Sequence, residues 1–210
     1  HSMRIVFEAS WQRLTEDEQT ALRKLSVFQG GFTREAAREV AQITLPTLLA
    51  LVNKSFVWRD TTGRFSQHPL ILQYLRHKAN DYPEERKQVE EKHGLYYLEL
   101  VKEKAPKLRT QKGKETREAL DQERTNIRAA WDWTLRETRV EEIRHYARAL
   151  SYVFYEYHYY EGTEMFKRAV AVLDEGNPAH HAALGYALIH QTELAIFLNG
   201  TDIEASIETI

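Results

Sequence analysis

Cysteine is absent from this 210-residue chain, which excludes disulfides, cysteine-ligated zinc and thiol catalysis together. No uninterrupted apolar run reaches the roughly 18 residues that a membrane span needs, so no membrane partner is expected. The chain opens without a charged-then-apolar leader, and a cytoplasmic location is the expectation. His1-Ser2-Met3 reads as an expression scar. An excess of one charge is missing too: 29 Lys/Arg stand against 31 Asp/Glu. Residues 1–82 hold eleven basic and eight acidic side chains, and the remainder 18 and 23. Neither part has the strongly basic footprint of a dedicated nucleic-acid binder. A phosphate-cradling loop of the form Gly-x-x-x-x-Gly-Lys-Ser/Thr is also lacking. Gly113-Lys114 runs into Glu115, and Leu108 stands where the first glycine belongs.

What is present is an ordinary globular mixture, 42% hydrophobic and 29% charged, patterned mainly for helices. Thr15 with Glu18 forms a capping box ahead of Leu22 and Leu25, and Gly30-Gly31 ends that helix. Thr33 opens a second helix through Ala36, Ala37 and Val40. Thr44, with Pro46 in the first turn, opens a third to about Ser55. Ser55–Arg59 and Arg64–Gln67, joined through Asp60-Thr61-Thr62-Gly63, read as a β-hairpin. Pro69 then starts a fourth helix as its first residue, with His68 in the capping place. Histidine is a weak cap, so the position points to something besides helix stability. Three helices, a hairpin and a helix is the order of a winged helix, predicted over residues 4–82.

After Pro83 the strand signals stop. Val89, His93, Tyr96, Tyr97 and Leu100 share a helical face. Lys112-Gly113 breaks the run, and Leu120, Ile127, Trp131 and Leu135 mark one further helix. Residues 83–140 read as a helical linker. Ile143, Tyr146, Ala147, Leu150, Val153, Phe154 and Tyr157 form a continuous stripe. Gly162 is expected to turn the chain into a returning face of Phe166, Ala169, Val170 and Leu173. A helix from about Ala179 should end at Gly200, and Thr201 should begin another carrying Ile203, Ile207 and Ile210. Residues 141–210 therefore read as antiparallel helical hairpins, a solenoid like tetratricopeptide repeats, truncated at Ile210. The fold expected is mainly α.

Three segments in order, "LRKLSVFQGGFTREAAREVA", "LLALVNKSFV" and "GRFSQHPLILQYL", resemble the winged-helix part of STAND signal-transduction ATPases, the NB-ARC-like group. "ALDQERTNIRAAWDWTL" and "YYEGTEMFKRAVAVL" are similar to the helical segment that follows in bacterial members. The resemblance spans roughly residues 10–210. It implies a fragment of a nucleotide-regulated switch, with its ATPase core upstream of Arg4 in the same polypeptide. ADP or ATP with magnesium would be bound by the full-length protein, and no cofactor by the fragment. The family's Met-His-Asp-type motif matches Gln67-His68-Pro69, which implies that His68 reaches the β-phosphate of ADP. Gln67 and Pro69 depart from the family's methionine and aspartate, and proline supplies no carboxylate. A helix N-terminus suits a phosphate on physical grounds as well, and an imidazole there adds a titratable donor.

The remaining candidates are fewer. Tyr152, Tyr155 and Tyr159, from "YVFYEYHYY", fall off the core stripe and could line a groove for an unknown protein or small-molecule ligand. Trp131 and Trp133 lie on different faces, so at least one should meet another helix. His180, His181 and His190 lack the i, i+4 spacing of zinc-binding helices, and no metal site is assigned. Groove reading of DNA needs outward Arg, Lys, Asn or Gln; the third helix offers Lys54 alone, with Arg59 and Arg64 near the hairpin tip. DNA binding is not expected. No catalytic constellation appears. The alternatives are a tetratricopeptide-like interaction scaffold and a DNA-binding regulator.

Overall fold

The computed structural model describes the backbone of residues 2–155 and 158–207, and the side chains of 7–155 and 158–196. It is mainly helical, with eleven α-helices and one small antiparallel sheet among the described residues. It divides into two compact units, His1–Tyr96 and Tyr97–Ile210.

The N-terminal unit runs α1 (Ser2–Trp11), α2 (Glu16–Leu25), β1 (Gly31–Phe32), α3 (Arg34–Ala41), α4 (Leu45–Asn53), β2 (Trp58–Arg59), β3 (Phe65–Ser66), α5 (Pro69–Ala79) and the first half of α6 (Pro83–Lys104). Local chemistry fixes the helix starts. Thr15 accepts the Glu18 N–H while the Glu18 carboxylate accepts the Thr15 N–H, closing the capping box. Thr33 and Thr44 cap α3 and α4 through their hydroxyls alone, which accept the Ala36 and Thr47 N–H groups. The hairpin forms where expected, with Trp58 opposite Ser66 and Arg59 opposite Phe65. A third strand goes beyond the sequence reading: Gly31-Phe32 pairs with β3, giving the order β1-β3-β2. Glycine at 30 and 31 reads as a helix stop. Phe32 instead uses the extended backbone to stack on Phe28 at 4.6 Å and Phe65 at 6.0 Å, and all three rings are buried. The first half of α6 belongs here because His93 packs edge-on against Phe28 and Glu85 pairs with buried Arg23 at 2.9 Å.

Helix α1 lies outside the sequence expectations. Its residue Glu8 accepts from Tyr74 Oη at 2.9 Å and Gln12 Nε2 at 3.0 Å, and pairs with Lys78 Nζ at 2.9 Å. The Lys78 bond is the main cause holding the Glu8 carboxyl at about 2, well below its ordinary value. A carboxyl depressed in the folded state stabilises at neutral pH, and that contribution is lost as pH falls from about 4.5 towards 2. Glu8→Gln should therefore melt below the parent at pH 6, with the gap closing by pH 2. A gap of constant size across thermal melts at these pH values would show that the Glu8 charge has no part in holding α1 to α5.

The C-terminal unit holds the rest of α6, a 3₁₀ turn (Ala105–Arg109), α7 (Gly113–Gln122), α8 (Arg124–Arg136), α9 (Val140–Tyr155), α10 (Tyr159–Val172) and α11 (His181–Ile207). Three expectations are corrected. The single helix through Leu120 and Leu135 is two, α7 and α8, parted at Glu123, whose carboxylate accepts from Asn126 Nδ2 at 3.1 Å. Tyr157 of the expected stripe lies outside the described residues, and Gly162 does not turn the chain, since it lies inside α10. There the missing side chain lets α10 approach Phe154 of α9 and Leu194 of α11. Gly200 does not end a helix, because α11 continues through it to Ile207. The expected packing of Ile203, Ile207 and Ile210 lies outside the described side chains. Trp131 reaches from α8 to α10, donating to the Met165 carbonyl at 3.1 Å and meeting Phe166 edge-on. Ile127, Leu150, Phe154, Ala169 and Leu194 of the same unit are fully buried as well.

Candidate functional site

The sheet sets up the first candidate. Phe65 is held inside the core by strand β3, and strand alternation carries on past the last ladder residue. Gln67 is therefore turned inward and His68 outward. His68 takes an extended backbone (φ −62°, ψ 139°), and its Nδ1 accepts the Leu70 N–H at 3.2 Å. The imidazole thus caps α5 itself, against the weak-cap expectation. An acceptor Nδ1 places the proton of the neutral ring on Nε2, which has no hydrogen-bond partner among the described residues. The ring also meets the exposed indole of Trp58 edge-on at 5.8 Å. This refines what an anion would find at this helix end. Pro69 carries no N–H and Leu70 spends its own on the imidazole, so Nε2–H, the Ile71 N–H of the first turn and the helix dipole are left to meet it. The sequence reading did not single out the burial of Gln67. Its Nε2 is enclosed without a partner, a loss of about 1–3 kcal/mol relative to a satisfied group. The Phe65–Gln67 alternation was the available signal.

The second candidate lies in the C-terminal unit. A cavity of about 390 Å³ runs over Ala105, Pro106 and Ala149 to Arg109, Arg148 and Tyr152. The same last three residues border a second cavity of about 480 Å³, which Tyr155, His190 and Glu193 also line. Tyr152 has two cations close to its ring: the Arg109 guanidinium lies 4.6 Å from the ring centre and that of Arg148 5.8 Å. Arg148 also reaches the Tyr152 hydroxyl at 3.5 Å. That contact, then the charges of Arg109 and Arg148, lower the Tyr152 pKa. Behind the lining residues Lys102 and His145 stands Tyr146, which donates to Glu99 at 3.0 Å. Burial, then that carboxylate, push its hydroxyl up to about 12.

Of the three tyrosines expected to act together, the structure brings Tyr152 and Tyr155 to this groove. Tyr159 begins α10, a separate helix from the α9 that carries the other two. The sequence stripe counted all three on one helix. Arg109 and Arg148 were missed. Arg148 stands four residues before Tyr152 on α9, a spacing that was legible, whereas Arg109 ends a 3₁₀ turn that a 3.6-residue period hides.

The clustered histidines do separate local work. His180 Nδ1 accepts the Asp174 N–H at 3.0 Å, His181 Nε2 meets the Glu175 carbonyl at 2.8 Å, and buried His190 pairs with Glu193 at 2.8 Å. Among the described residues no group of three or more His, Asp or Glu is placed to hold a metal ion. Lys54, the cation after α4, is held by Glu18 at 2.7 Å, and α4 itself contains no lysine or arginine. No described helix is long and apolar enough to cross a membrane. No protein-family model, curated protein or solved structure matches the chain.

Proposed function

We propose that this chain is the non-catalytic, regulatory part of a nucleotide-driven signalling switch of the STAND class, acting in the cytoplasm. In this reading the N-terminal unit is a winged helix that clamps ADP held by an ATPase core upstream in the same polypeptide. The helical unit is an array like tetratricopeptide repeats that receives a ligand or partner. The order α2, β1, α3, α4, hairpin, α5 supports the winged-helix assignment, with β3 central in the sheet. The observation that carries the function is His68: its Nδ1 is committed to α5, and Nε2 is left as an outward donor at a helix N-terminus. A phosphate oxygen is the partner that suits both features.

One charge-assisted hydrogen bond contributes about 1.5–3 kcal/mol. By itself that gives the isolated chain only millimolar or weaker affinity for ADP. In the full-length protein, His68→Ala should loosen ADP about ten- to hundredfold and favour the active state. Calorimetry on both proteins checks this. Micromolar ADP affinity in the isolated chain, or undiminished retention in the variant, would refute the clamp.

An interaction scaffold is the second reading. It is favoured by Tyr186, Ile189 and Ile196, which share one face of α11 and are all exposed. A DNA-binding regulator has less support, since α4 brings no cation to a groove and Lys54 is engaged by Glu18.

A further inference from the structure

The arginines of the C-terminal unit are mostly matched to acids. Arg128 pairs with Glu161 at 3.4 Å, Arg144 with Glu141 at 2.7 Å, and Arg168 with Asp132 at 2.8 Å. Arg109 and Arg148 break that pattern. Neither forms an ion pair with a carboxylate among the described residues, and both lean on the same tyrosine. Two guanidiniums converging on one ring repel each other, and an arrangement of this kind is relieved by an anion between them.

The surroundings point the same way. Lys102 and His145 also line the smaller cavity. Lys102 lies 3.6 Å from Glu99, a carboxylate that already accepts from Tyr146. Glu193, bonded by His190, lines the larger cavity and its charge reaches Arg148 and Tyr152, which leaves the smaller cavity, without that carboxylate, as the more cationic of the two. The floor of Ala105, Pro106 and Ala149 is apolar and close to the charged rim. A volume of about 390 Å³ falls in the range of small-molecule sites rather than of a peptide groove.

We propose that this groove is a site for a phosphate dianion, free or as the monoester of a small molecule, gripped by the Arg109 and Arg148 guanidiniums with the Tyr152 hydroxyl as a third donor. Guanidinium forks match the spacing of phosphoryl oxygens, and the apolar floor would take the body of an ester. The inference gives a ligand class to the receiving half of the switch. It rests on that reading for its place in a signal, while the binding event itself is local to the C-terminal unit.

The test is calorimetric titration of the chain with inorganic phosphate, phenyl phosphate and benzoate. Saturable binding of the phosphates is expected, about tenfold weaker in Arg109→Gln and in Arg148→Gln, with benzoate weaker than either. Equal affinity for the two phosphates supports a free ion as the natural ligand, and tighter phenyl phosphate supports an ester. Both arginines are at the surface of a cavity, and circular dichroism verifies that the variants fold. Should either variant unfold, shifts of the Tyr152 ring and Arg109 Nε–H resonances in the parent protein, titrated with phenyl phosphate, decide instead. No saturable binding by the parent, unchanged affinity in folded variants, no shift at these resonances, or benzoate as tight as phenyl phosphate would overturn the proposal. None of these failures bears on ADP retention through His68 in the full-length protein, and loss of that clamp would leave phosphate binding here intact.

Discussion

Trp131→Ala is expected to be the most damaging single change in the C-terminal unit. The side chain is fully buried, stands edge-on to Phe166, and donates to the Met165 carbonyl across α8 and α10. Truncating a buried tryptophan costs about 3–5 kcal/mol, because the surroundings only partly collapse into the space. The lost indole N–H bond adds about 1 kcal/mol. Against a total stability of about 5–15 kcal/mol, the melting temperature should fall by roughly 10–20 °C. Trp131→Phe should recover part of that loss, since it restores most of the ring volume and not the donor. Circular dichroism melts of the three proteins are the measurement. A drop of only a few degrees for the alanine variant would mean that other contacts hold α8 to α10.

Gly162→Val should rank second. A Cβ at this position would stand 2.7 Å from Phe154 Cβ and 2.8 Å from Leu194 Cδ1. Leu194 can rotate away, but Phe154 Cβ is fixed to its own backbone and the helices have to part. Any β-carbon gains up to about 1 kcal/mol of helix propensity over glycine, whereas overpacking costs about 1–3 kcal/mol and occasionally more. Valine adds two methyls to the clash, so a net loss of about 3 kcal/mol is expected. Gly185 supplies the control. It lies in α11 with no atom near its hypothetical Cβ, so Gly185→Ala should raise stability by about 0.5–1 kcal/mol. Urea unfolding of both variants separates the effects. A Gly162→Val protein as stable as the parent would show that the helices pack less closely here than the distances require.

These two glycines also mark what a sequence can and cannot announce. Capping boxes, caps and the hairpin loop were legible because they rest on contacts between residues three or four apart. The Thr15–Glu18 box and the threonine caps at 33 and 44 are of this kind. Gly162 looked like a turn because glycine is ambiguous: the same missing side chain serves a sharp bend and a close helix approach, and only distant partners decide. Strand β1 was hidden for a related reason, since two residues carry no alternation and its partner β3 lies some thirty residues on. His68 was legible as the boundary of α5 and Tyr152 as an off-stripe aromatic. The arginine pair was not, because it joins a 3₁₀ turn to a helix through space.

The four tryptophans are unequally placed. Trp11, Trp131 and Trp133 are buried, while Trp58 is 43% exposed and its ring lies edge-on to His68. A water-borne collisional quencher therefore addresses Trp58 almost alone, and the light it removes comes from the nucleotide-facing end of α5 in the switch reading. The molecule carries its own lamp beside its candidate contact. Occupation of His68 by a phosphate or by a partner surface becomes readable as fluorescence, without a label and without disturbing the residue itself.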